Sequence, residues 1–211
     1  MRFFVGLVLA LALGVVGCNE TAGTAQPVGW FAQDSGTTTL LTDVAFVDPN
    51  RGVVVGEAGL ILGTANGGAT WSPQESGTPV RLFGVSFINA NTGTAVGSEG
   101  TILRTADGGE TWTPQTSGTA QGLNDVSFIN ANTGTAVGNQ GTILRTTDGG
   151  ASWVAQNCGT TNDLYDVSFT DASTGTVVGG GGIILRTTNG GTTWVRQNSG
   201  TTKYLSGVSF T

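Results

Sequence analysis

The stretch Thr105-Ala106-Asp107-Gly108-Gly109-Glu110-Thr111-Trp112 decides the fold, because near copies of it end at Trp71, Trp153 and Trp194, each 41 residues from the next. The shared pattern is Thr-x-(Asp/Asn)-x-Gly-x-(Thr/Ser)-Trp. Its Asp or Asn side chain accepts hydrogen bonds from nearby backbone N–H groups, and its paired glycines take positive φ, so each copy predicts a tight hairpin turn. A period in the low forties is typical of β-propeller blades, which are four-stranded sheets that cannot bury their faces alone.

Each copy of this turn, the Asp box, contributes three residues that we expect to be structural: the Asp or Asn, the second glycine and the tryptophan. The tryptophan is the largest apolar side chain of its unit and buries about 200 Å². Because the acids and amides alternate at equivalent positions, turn formation accounts for them. The positions are Asn66, Gly68, Trp71, Asp107, Gly109, Trp112, Asp148, Gly150, Trp153, Asn189, Gly191 and Trp194.

The 41-residue unit predicts four strands. An inner strand opens at Leu82 and continues through Val85 and Phe87, with the leucine expected on one face and the other two on the opposite face. Glycines bracket a second strand, Gly93–Gly97, as turn residues. Ile102 begins the third strand, and the Asp-box tryptophan begins the outer one. Since these strands are apolar on both faces, neighbouring blades must cover them.

The sequence therefore predicts an all-β fold, a β-propeller of four-stranded blades that forms an incomplete ring. Four full units are preceded by a lone outer strand at Trp30 and followed by a lone inner strand at Leu205–Thr211. An open ring would expose blade faces and strand edges. We therefore expect the chain to be an N-terminal fragment of a longer protein, truncated on its C-terminal side.

The Asp box resembles that of the bacterial neuraminidase (BNR) repeats. The longer run from Val96 to Gly109, Val-Gly-x-x-Gly-Thr-Ile-Leu-Arg-Thr-x-Asp-Gly-Gly, is similar to the photosystem II assembly and stability factor-like propellers. The likeness covers residues 30–211 and implies the fold. It implies much less about function, because Asp boxes occur in sialidases, other glycosidases and non-enzymatic binding propellers alike.

Composition agrees with a turn-dense all-β protein, since 36 of 211 residues are glycine and only 10% are charged. The net charge of −6 becomes −7 if the leader carrying Arg2 is removed, because 14 acids then face 7 bases. An acidic chain without a basic tract disfavours nucleic acid as a partner. Histidine, the commonest general base and metal ligand, is absent. We expect no catalytic residue, no cofactor and no metal.

The first 29 residues predict export. Residues 1–17 carry one cation, Arg2, followed by an apolar run too short to span a membrane comfortably, which indicates a signal peptide. Its end, Val15-Val16-Gly17-Cys18, is similar to the lipobox of bacterial lipoproteins, in which the cysteine is lipidated. An ordinary secretory signal with an incidental cysteine is the alternative. Residues 18–29 then form a flexible tether to a domain over residues 30–211. The expected location is the periplasmic or extracellular side of a membrane.

Three arginines at one repeat position, Arg104, Arg145 and Arg186, form a candidate binding patch. A propeller would place them on a common circle of an otherwise acidic protein. The resemblance to the assembly factors implies that an arginine-bearing surface is a place to look for binding. The alternative is local pairing across the turn with Asp107 and Asp148, worth less than about 1 kcal/mol per exposed pair.

The Asp-box acids Asp107 and Asp148 also invite comparison with the paired carboxylates of glycosidases. Their equivalence in successive repeats favours a turn-forming role. A calcium loop is disfavoured, because each turn has one carboxylate where calcium takes six or more oxygens. A sialidase would need a tyrosine nucleophile within an arginine cluster, and nothing in the sequence brings such groups to Tyr165 or Tyr204.

Loop residues that differ between repeats are better candidates for a binding face, with neutral drift as the alternative. They are Glu57-Ala58, Ser98-Glu99, Asn139-Gln140 and Gly180-Gly181 in one loop, and Pro79–Arg81, Ala120–Gly122, Asn162-Asp163 and Lys203-Tyr204 in another. The sequence thus predicts a lipid-anchored, extracytoplasmic propeller that binds a protein or an envelope component as an assembly-factor-like scaffold. A sialidase-like glycoside hydrolase fragment and a surface adhesin are the alternatives.

Overall fold

The computed structural model describes residues 32–210, which form four antiparallel sheets of four strands each, with the strands of each sheet in chain order. This confirms the all-β fold and the four complete repeats. The signal peptide, Cys18, the tether and the strand expected at Trp30 lie outside the described residues. The strands are β1 (Leu41–Phe46), β2 (Gly52–Gly56), β3 (Ile61–Thr64) and β4 (Ser72–Gln74) in blade 1; β5 (Leu82–Phe87), β6 (Gly93–Gly97), β7 (Ile102–Thr105) and β8 (Thr113–Gln115) in blade 2; β9 (Leu123–Phe128), β10 (Gly134–Gly138), β11 (Ile143–Thr146) and β12 (Val154–Ala155) in blade 3; and β13 (Leu164–Phe169), β14 (Gly175–Gly179), β15 (Ile184–Thr187) and β16 (Val195–Arg196) in blade 4.

The blades are arranged radially. The first strand of each blade lies against the first strand of the next, so that β1 contacts β5, β5 contacts β9, and β9 contacts β13. The fourth strands, β4, β8, β12 and β16, do not pack against one another to a comparable extent. A fan that is tight at the inner strands and open at the outer ones is the geometry of propeller blades around an axis.

A β-bulge in each inner strand changes which side chains share a face. Leu82 pairs with Gly97 but Gly84 pairs with Val96, so that one extra residue, Phe83, is accommodated. An extra residue reverses the alternation of side chains along a strand. Leu82 therefore lies on the same face as Val85, and the expectation that the leucine and the valine face opposite ways was wrong.

Three hydrophobic cores fill the joints between successive blades. In the joint between blades 1 and 2, Val53 and Val55 of β2 pack against Leu82 and Val85 of β5 together with Trp112. Equivalent residues build the core between blades 2 and 3 and the core between blades 3 and 4. Because alternate residues of one central strand enter different cores, with Ala95 facing blade 1 and Val96 facing blade 3, blade 2 is covered on both sides by its neighbours.

The glycine that opens each second strand has a packing role rather than the turn role expected from the sequence. Gly93 is paired with Phe87 across the ladder, and a Cβ on Gly93 would collide with the phenylalanine ring. The ring therefore lies directly over the glycine backbone. Its edge meets the Asp-box tryptophan of the same blade, with 6.0 Å between the centroids of Phe87 and Trp112 and an interplanar angle of 82°. The same pairing recurs in the other three blades.

The last described residues lie along blade 4 without forming a strand. The Leu205 N–H donates to the Gly179 carbonyl at 3.1 Å, and the Val208 N–H donates to Asp166 Oδ2 at 2.7 Å. The bond from Val208 matches those that Val85 and Val167 donate to Asp43 and Asp125. An inner strand needs a second strand beside it to complete its ladder, and none of the described residues supplies one. The segment expected to form an inner strand from Leu205 therefore lies against blade 4, but it has no second strand to pair with among the described residues.

Candidate functional site

The blades present two different ends to solvent. Antiparallel strands alternate in direction, so the loops between second and third strands lie at the same end as the connections between blades. We call this end the variable face; it holds both sets of loops that differ between repeats. The opposite end, the Asp-box face, holds the Asp boxes and the loops between first and second strands, as the bonds from the N–H groups of Gly67 and Gly108 to the carbonyls of Asn50 and Asn91 indicate.

The variable face is built on a 3-10 turn that keeps the same backbone in every blade. These turns are Glu57–Gly59, Ser98–Gly100, Asn139–Gly141 and Gly180–Gly182. Their middle residues have positive φ even where they are not glycine, at 55° for Ala58, 58° for Glu99 and 54° for Gln140. Non-glycine residues adopt this conformation at a cost in energy. The fold therefore presents side chains that change from blade to blade on a backbone that does not.

The two variable loop sets contact each other on this face, although the sequence did not place them together. Arg81 forms an ion pair with Glu57 of the preceding blade, with 3.4 Å between Nη1 and Oε1. The Gln140 N–H donates to Asp163 Oδ1 at 2.9 Å. The Asn162 amide donates to the Gly180 carbonyl at 2.7 Å. The loops thus form one continuous surface.

Two aromatic residues on the variable face, Phe83 and Tyr165, come from the bulge position, which was not predicted as a site, whereas Tyr204 comes from the variable loop Lys203-Tyr204. Phe83 and Tyr165 are the bulge residues of blades 2 and 4, and both are half-buried. The Arg81 guanidinium lies 5.0 Å from the Phe83 ring centroid. Tyr204 stands edge-on to Tyr165 at 6.0 Å and is 76% exposed. The available signal was the variation of this position among Thr42, Phe83, Asn124, Tyr165 and Ser206.

Two of the three repeated arginines, Arg104 and Arg145, lie between blades. Arg104 donates from Nη1 to Thr94 Oγ1 and from Nη2 to the Ala131 carbonyl of the next blade, both at 2.7 Å. Its guanidinium lies 4.6 Å from the centroid of the Phe128 ring, at the range of a cation–π contact. We call this arrangement the arginine clamp.

The clamp recurs between blades 3 and 4. Arg145 there contacts Thr135, the Ala172 carbonyl and the Phe169 ring, with 4.7 Å to the ring centroid. Burial lowers the pKa of both clamp arginines. Arg186, in the last described blade, is exposed.

The local pairing of these arginines with Asp-box acids was a wrong expectation. Among residues 32–210 the ion pair within 4 Å is the one between Arg81 and Glu57. Arg104 reaches across to the next blade instead of back to its own turn, because the Ala131 carbonyl and the Phe128 ring both lie there. Whether the repeated arginines bind a ligand stays a prediction.

In each Asp box, the Asp or Asn side chain makes its hydrogen bonds with residues of its own turn. Asp107 accepts from the Thr111 N–H at 2.9 Å, from the Thr111 hydroxyl at 2.6 Å and from the Thr105 hydroxyl at 2.8 Å. These bonds, the Thr111 hydroxyl first, lower the pKa of Asp107 to about 2. Asp148 accepts equivalent bonds from Ser152 and Thr146 and has a pKa of about 2, and Asn66 and Asn189 make equivalent contacts. Both glycines of each box have positive φ, such as 76° at Gly108 and 94° at Gly109.

A glutamine latch joins each Asp box to the preceding blade. Gln74, at the end of β4, donates from its amide to the Gly108 carbonyl at 3.2 Å and accepts from Trp112 Nε1 at 3.2 Å. Gln115 and Gln156 repeat both contacts with the next boxes. The tryptophan predicted to anchor its own blade therefore also fixes the blade before it.

Three carboxylates on the inner strands form a feature that the sequence analysis missed. Asp43 and Asp125 each accept a backbone N–H from the inner strand of the next blade, at 2.7 Å and 2.9 Å. Asp166 accepts the N–H of Val208, in the segment that follows blade 4, at 2.7 Å. Burial raises the pKa of Asp43 to about 6. Burial and a hydrogen bond shared with Asp166 raise the pKa of Asp125 well above its usual value. The signal was an Asp recurring two residues after the inner-strand leucine.

Neither a metal centre nor a spanning helix is found in the part of the chain described. Over residues 32–210 no group of three or more His, Cys, Asp or Glu side chains is arranged to hold a metal ion. Within the same range, no helix has the length and apolar character needed to cross a membrane.

Radial blades, repeated Asp boxes and latches between neighbours define the class of molecule as a BNR-type β-propeller. The family model described as photosynthesis system II assembly factor YCF48 matches residues 22–113, 75–155 and 117–198. The chain therefore belongs to the YCF48 family. The comparison with curated proteins found no match.

Solved structures of this family share the fold. A structure titled "YCF48 bound to D1 peptide" is 25% identical with a TM-score of 0.66, covering 79% of this chain and 56% of its own. YCF48 from Cyanidioschyzon merolae is 26% identical with a TM-score of 0.62, covering 76% of this chain and 56% of its own. This chain thus spans little more than half the length of these relatives.

Similarity of fold alone extends to enzymes. An ancestral GH74 enzyme is 21% identical with a TM-score of 0.62, and the match covers 82% of this chain and 26% of that one.

Proposed function

We propose that this chain is a protein-binding scaffold that acts in the assembly of a membrane complex, and that its variable face is the binding surface. The observation that carries the proposal is that this face presents two pairs that include aromatic rings, Arg81 with Phe83 in blade 2 and Tyr165 with Tyr204 at blade 4. Tyrosine and arginine are enriched among residues that dominate protein interfaces. The 3-10 turns of this face keep one backbone conformation in every blade, with positive φ at Ala58, Glu99 and Gln140. The positions of these loop residues are therefore set before a partner binds, which lowers the entropic cost of binding.

A D1 peptide is the partner to test first, because a family member of similar fold was solved with one. The double variant Phe83→Ala/Tyr204→Ala removes two aromatic groups from the variable face. We expect it to bind the peptide at least about tenfold more weakly than the wild type, since loss of one interface anchor costs about 1–2 kcal/mol or more. Isothermal titration calorimetry measures the change, and circular dichroism checks that the variant is folded.

Thr147→Ala is the matched control, because Thr147 is an exposed residue of the Asp-box face in blade 3. It should bind the peptide as the wild type does. Equal weakening by both variants would show that the variable face is not the binding surface. A peptide that binds none of the proteins would leave another envelope component, as in an adhesin, as the alternative partner.

The proposal includes export and lipidation at Cys18, supported by the apolar leader that ends in Val15-Val16-Gly17-Cys18. Replacing Cys18 by serine should release the protein from the membrane fraction and abolish its labelling by a fatty-acid analogue in a bacterial host. Fractionation with both proteins side by side measures this. A wild-type protein that is exported but never labelled would indicate an ordinary secretory signal.

The proposed scaffold does not catalyse a reaction. The likeness to the GH74 enzyme concerns the fold, and the Asp-box acids are engaged in their own turns. Turnover of aryl-glycosides or sialosides by the full chain, lost on an acid-to-amide change in a loop, would favour the glycosidase alternative instead.

A further inference from the structure

A cavity of about 560 Å³ lies between blades 1 and 2 on the Asp-box face. Gly63 and Val53 of blade 1 line one side of it, and Phe87 and Ala90 of blade 2 line the other. This volume is within the range of sites that bind small molecules or side chains. The equivalent position in the next two joints contains an arginine clamp.

The three joints differ at one residue that determines whether the space is filled. Gly63 occupies the repeat position of Arg104 and Arg145. In the second joint the Arg104 guanidinium contacts the Phe128 ring and the Ala131 carbonyl. One period earlier, the corresponding aromatic ring is that of Phe87 and the corresponding carbonyl is that of Ala90. Both residues line the cavity, which has no arginine of its own strand to cover them.

The charge around the cavity favours a cation. Asp107 and Glu110 line its mouth on the side of blade 2, and Arg51 lines it on the side of blade 1. Two carboxylates against one guanidinium leave a net negative lining. An aromatic face attracts a cation in addition, and more strongly where water is excluded.

We propose that this cavity binds the arginine side chain of a partner peptide, in the way that Arg104 and Arg145 occupy the next two joints. The guanidinium would lie over the Phe87 ring and donate to the Ala90 carbonyl. Val53 stands where the other joints have Thr94 and Thr135, so the second guanidinium nitrogen would turn toward the acidic mouth instead. That the arginine belongs to a protein rests on the proposed function, whereas the affinity of the cavity for a guanidinium does not.

N-acetyl-arginine methylamide tests the cavity directly. We expect it to bind the full chain at one site, with a dissociation constant on the order of 1 mM, as a charge-assisted hydrogen bond and one cation–π contact would give. The citrulline analogue has the same shape without the charge and should bind at least tenfold more weakly. NMR titration reports both the affinity and the residues that shift, which should include the amides of Gly63 and Phe87.

Two variants make the test specific. Gly63→Arg supplies the missing clamp from within the chain, and should abolish binding and raise the melting temperature. A Cβ at Gly63 would meet the end of the Gln74 side chain, whose amide nitrogen is 2.6 Å away and can move aside. One period later, Arg104 and Gln115 occupy the positions of Gly63 and Gln74. Arg104→Gly opens the equivalent space between blades 2 and 3, and should raise the number of arginine sites from one to two.

Arg51→Ala removes the opposing cation and should tighten binding. If the wild type and Gly63→Arg bind the arginine analogue equally, or if the citrulline analogue binds as well as arginine does, the cavity is not a guanidinium site. If the analogue binds the cavity but a protein partner binds the wild type and Gly63→Arg equally, the site is real and the partner does not use it. That result would leave the proposed scaffold function intact.

Discussion

Replacing Trp112 by alanine should lower the free energy of unfolding by about 3–5 kcal/mol, the range observed for buried large-to-small changes. Trp112 is 8% exposed, lies within the core between blades 1 and 2, and stands edge-on to Phe87. The substitution also leaves the Gln74 side chain without the indole N–H donor at 3.2 Å. Urea denaturation followed by circular dichroism and by the fluorescence of the remaining tryptophans measures the loss.

Two comparisons make this expectation specific. Trp112→Phe keeps an aromatic ring and should cost less than the alanine change. Val154→Ala alters a side chain that is 63% exposed, and should change the unfolding free energy by no more than about 0.5 kcal/mol. A Trp112→Ala protein as stable as the Val154→Ala protein would show that the blades are not held together by their indole contacts.

Replacing Asp43 by asparagine should reduce the pH dependence of stability by about 2–3 kcal/mol between pH 4 and pH 8. The pKa of Asp43 is raised from 3.8 to about 6, chiefly because the carboxyl group is buried, with Asp166 adding to the effect. Each pKa unit corresponds to about 1.4 kcal/mol. The folded protein therefore holds a proton that the unfolded chain releases, and its stability falls as pH rises from about 4 through 6.

Two Asp-box acids have the opposite effect and make the stability fall at low pH. The pKa of Asp107 and of Asp148 is about 2, so their contribution is present above pH 4 and lost as pH falls toward 2. Asp125 acts in the same direction as Asp43, since its pKa is also raised. Stability should therefore be greatest near pH 4–5. Thermal melts of wild type and Asp43→Asn from pH 3 to pH 8 measure the profile.

Glu75→Gln removes one exposed carboxylate and serves as the control, because it should leave the shape of the profile unchanged. An Asp43→Asn protein whose stability still falls by the full wild-type amount between pH 4 and pH 8 would show that Asp43 is ionised in the fold throughout this range.

The repeat length and the Asp box were enough to predict the blades. The bounds of the second strand, Gly93–Gly97, came directly from its flanking glycines, and the third strand began at Ile102 as expected. These strands are determined by residues within one repeat unit, and the four strands of a unit follow one another in the sheet in the same order as along the chain. Turn chemistry and apolar periodicity report this local information directly.

Contacts between units were not predictable in the same way. The bulge at Phe83 changes the face of Leu82 through one extra backbone residue, and periodicity alone does not reveal it. Arg104 lies closer to Asp107 in sequence than to Ala131, yet it donates to Ala131, because the adjoining blade supplies both a ring and a carbonyl. The carboxylates at the axis depend on convergence of strands about 41 residues apart, which only the assembled fan brings together.

The glutamine latches make the joint between two modules a property of the repeat itself. The glutamine near the end of each unit donates to the backbone carbonyl 34 positions further on, as Gln74, Gln115 and Gln156 show. Each unit therefore supplies the hydrogen-bond donor that joins it to the next. Duplication or loss of one whole unit would preserve every such joint, whereas a change of half a unit would break two of them. The latches therefore allow the number of blades to change in steps of one whole unit.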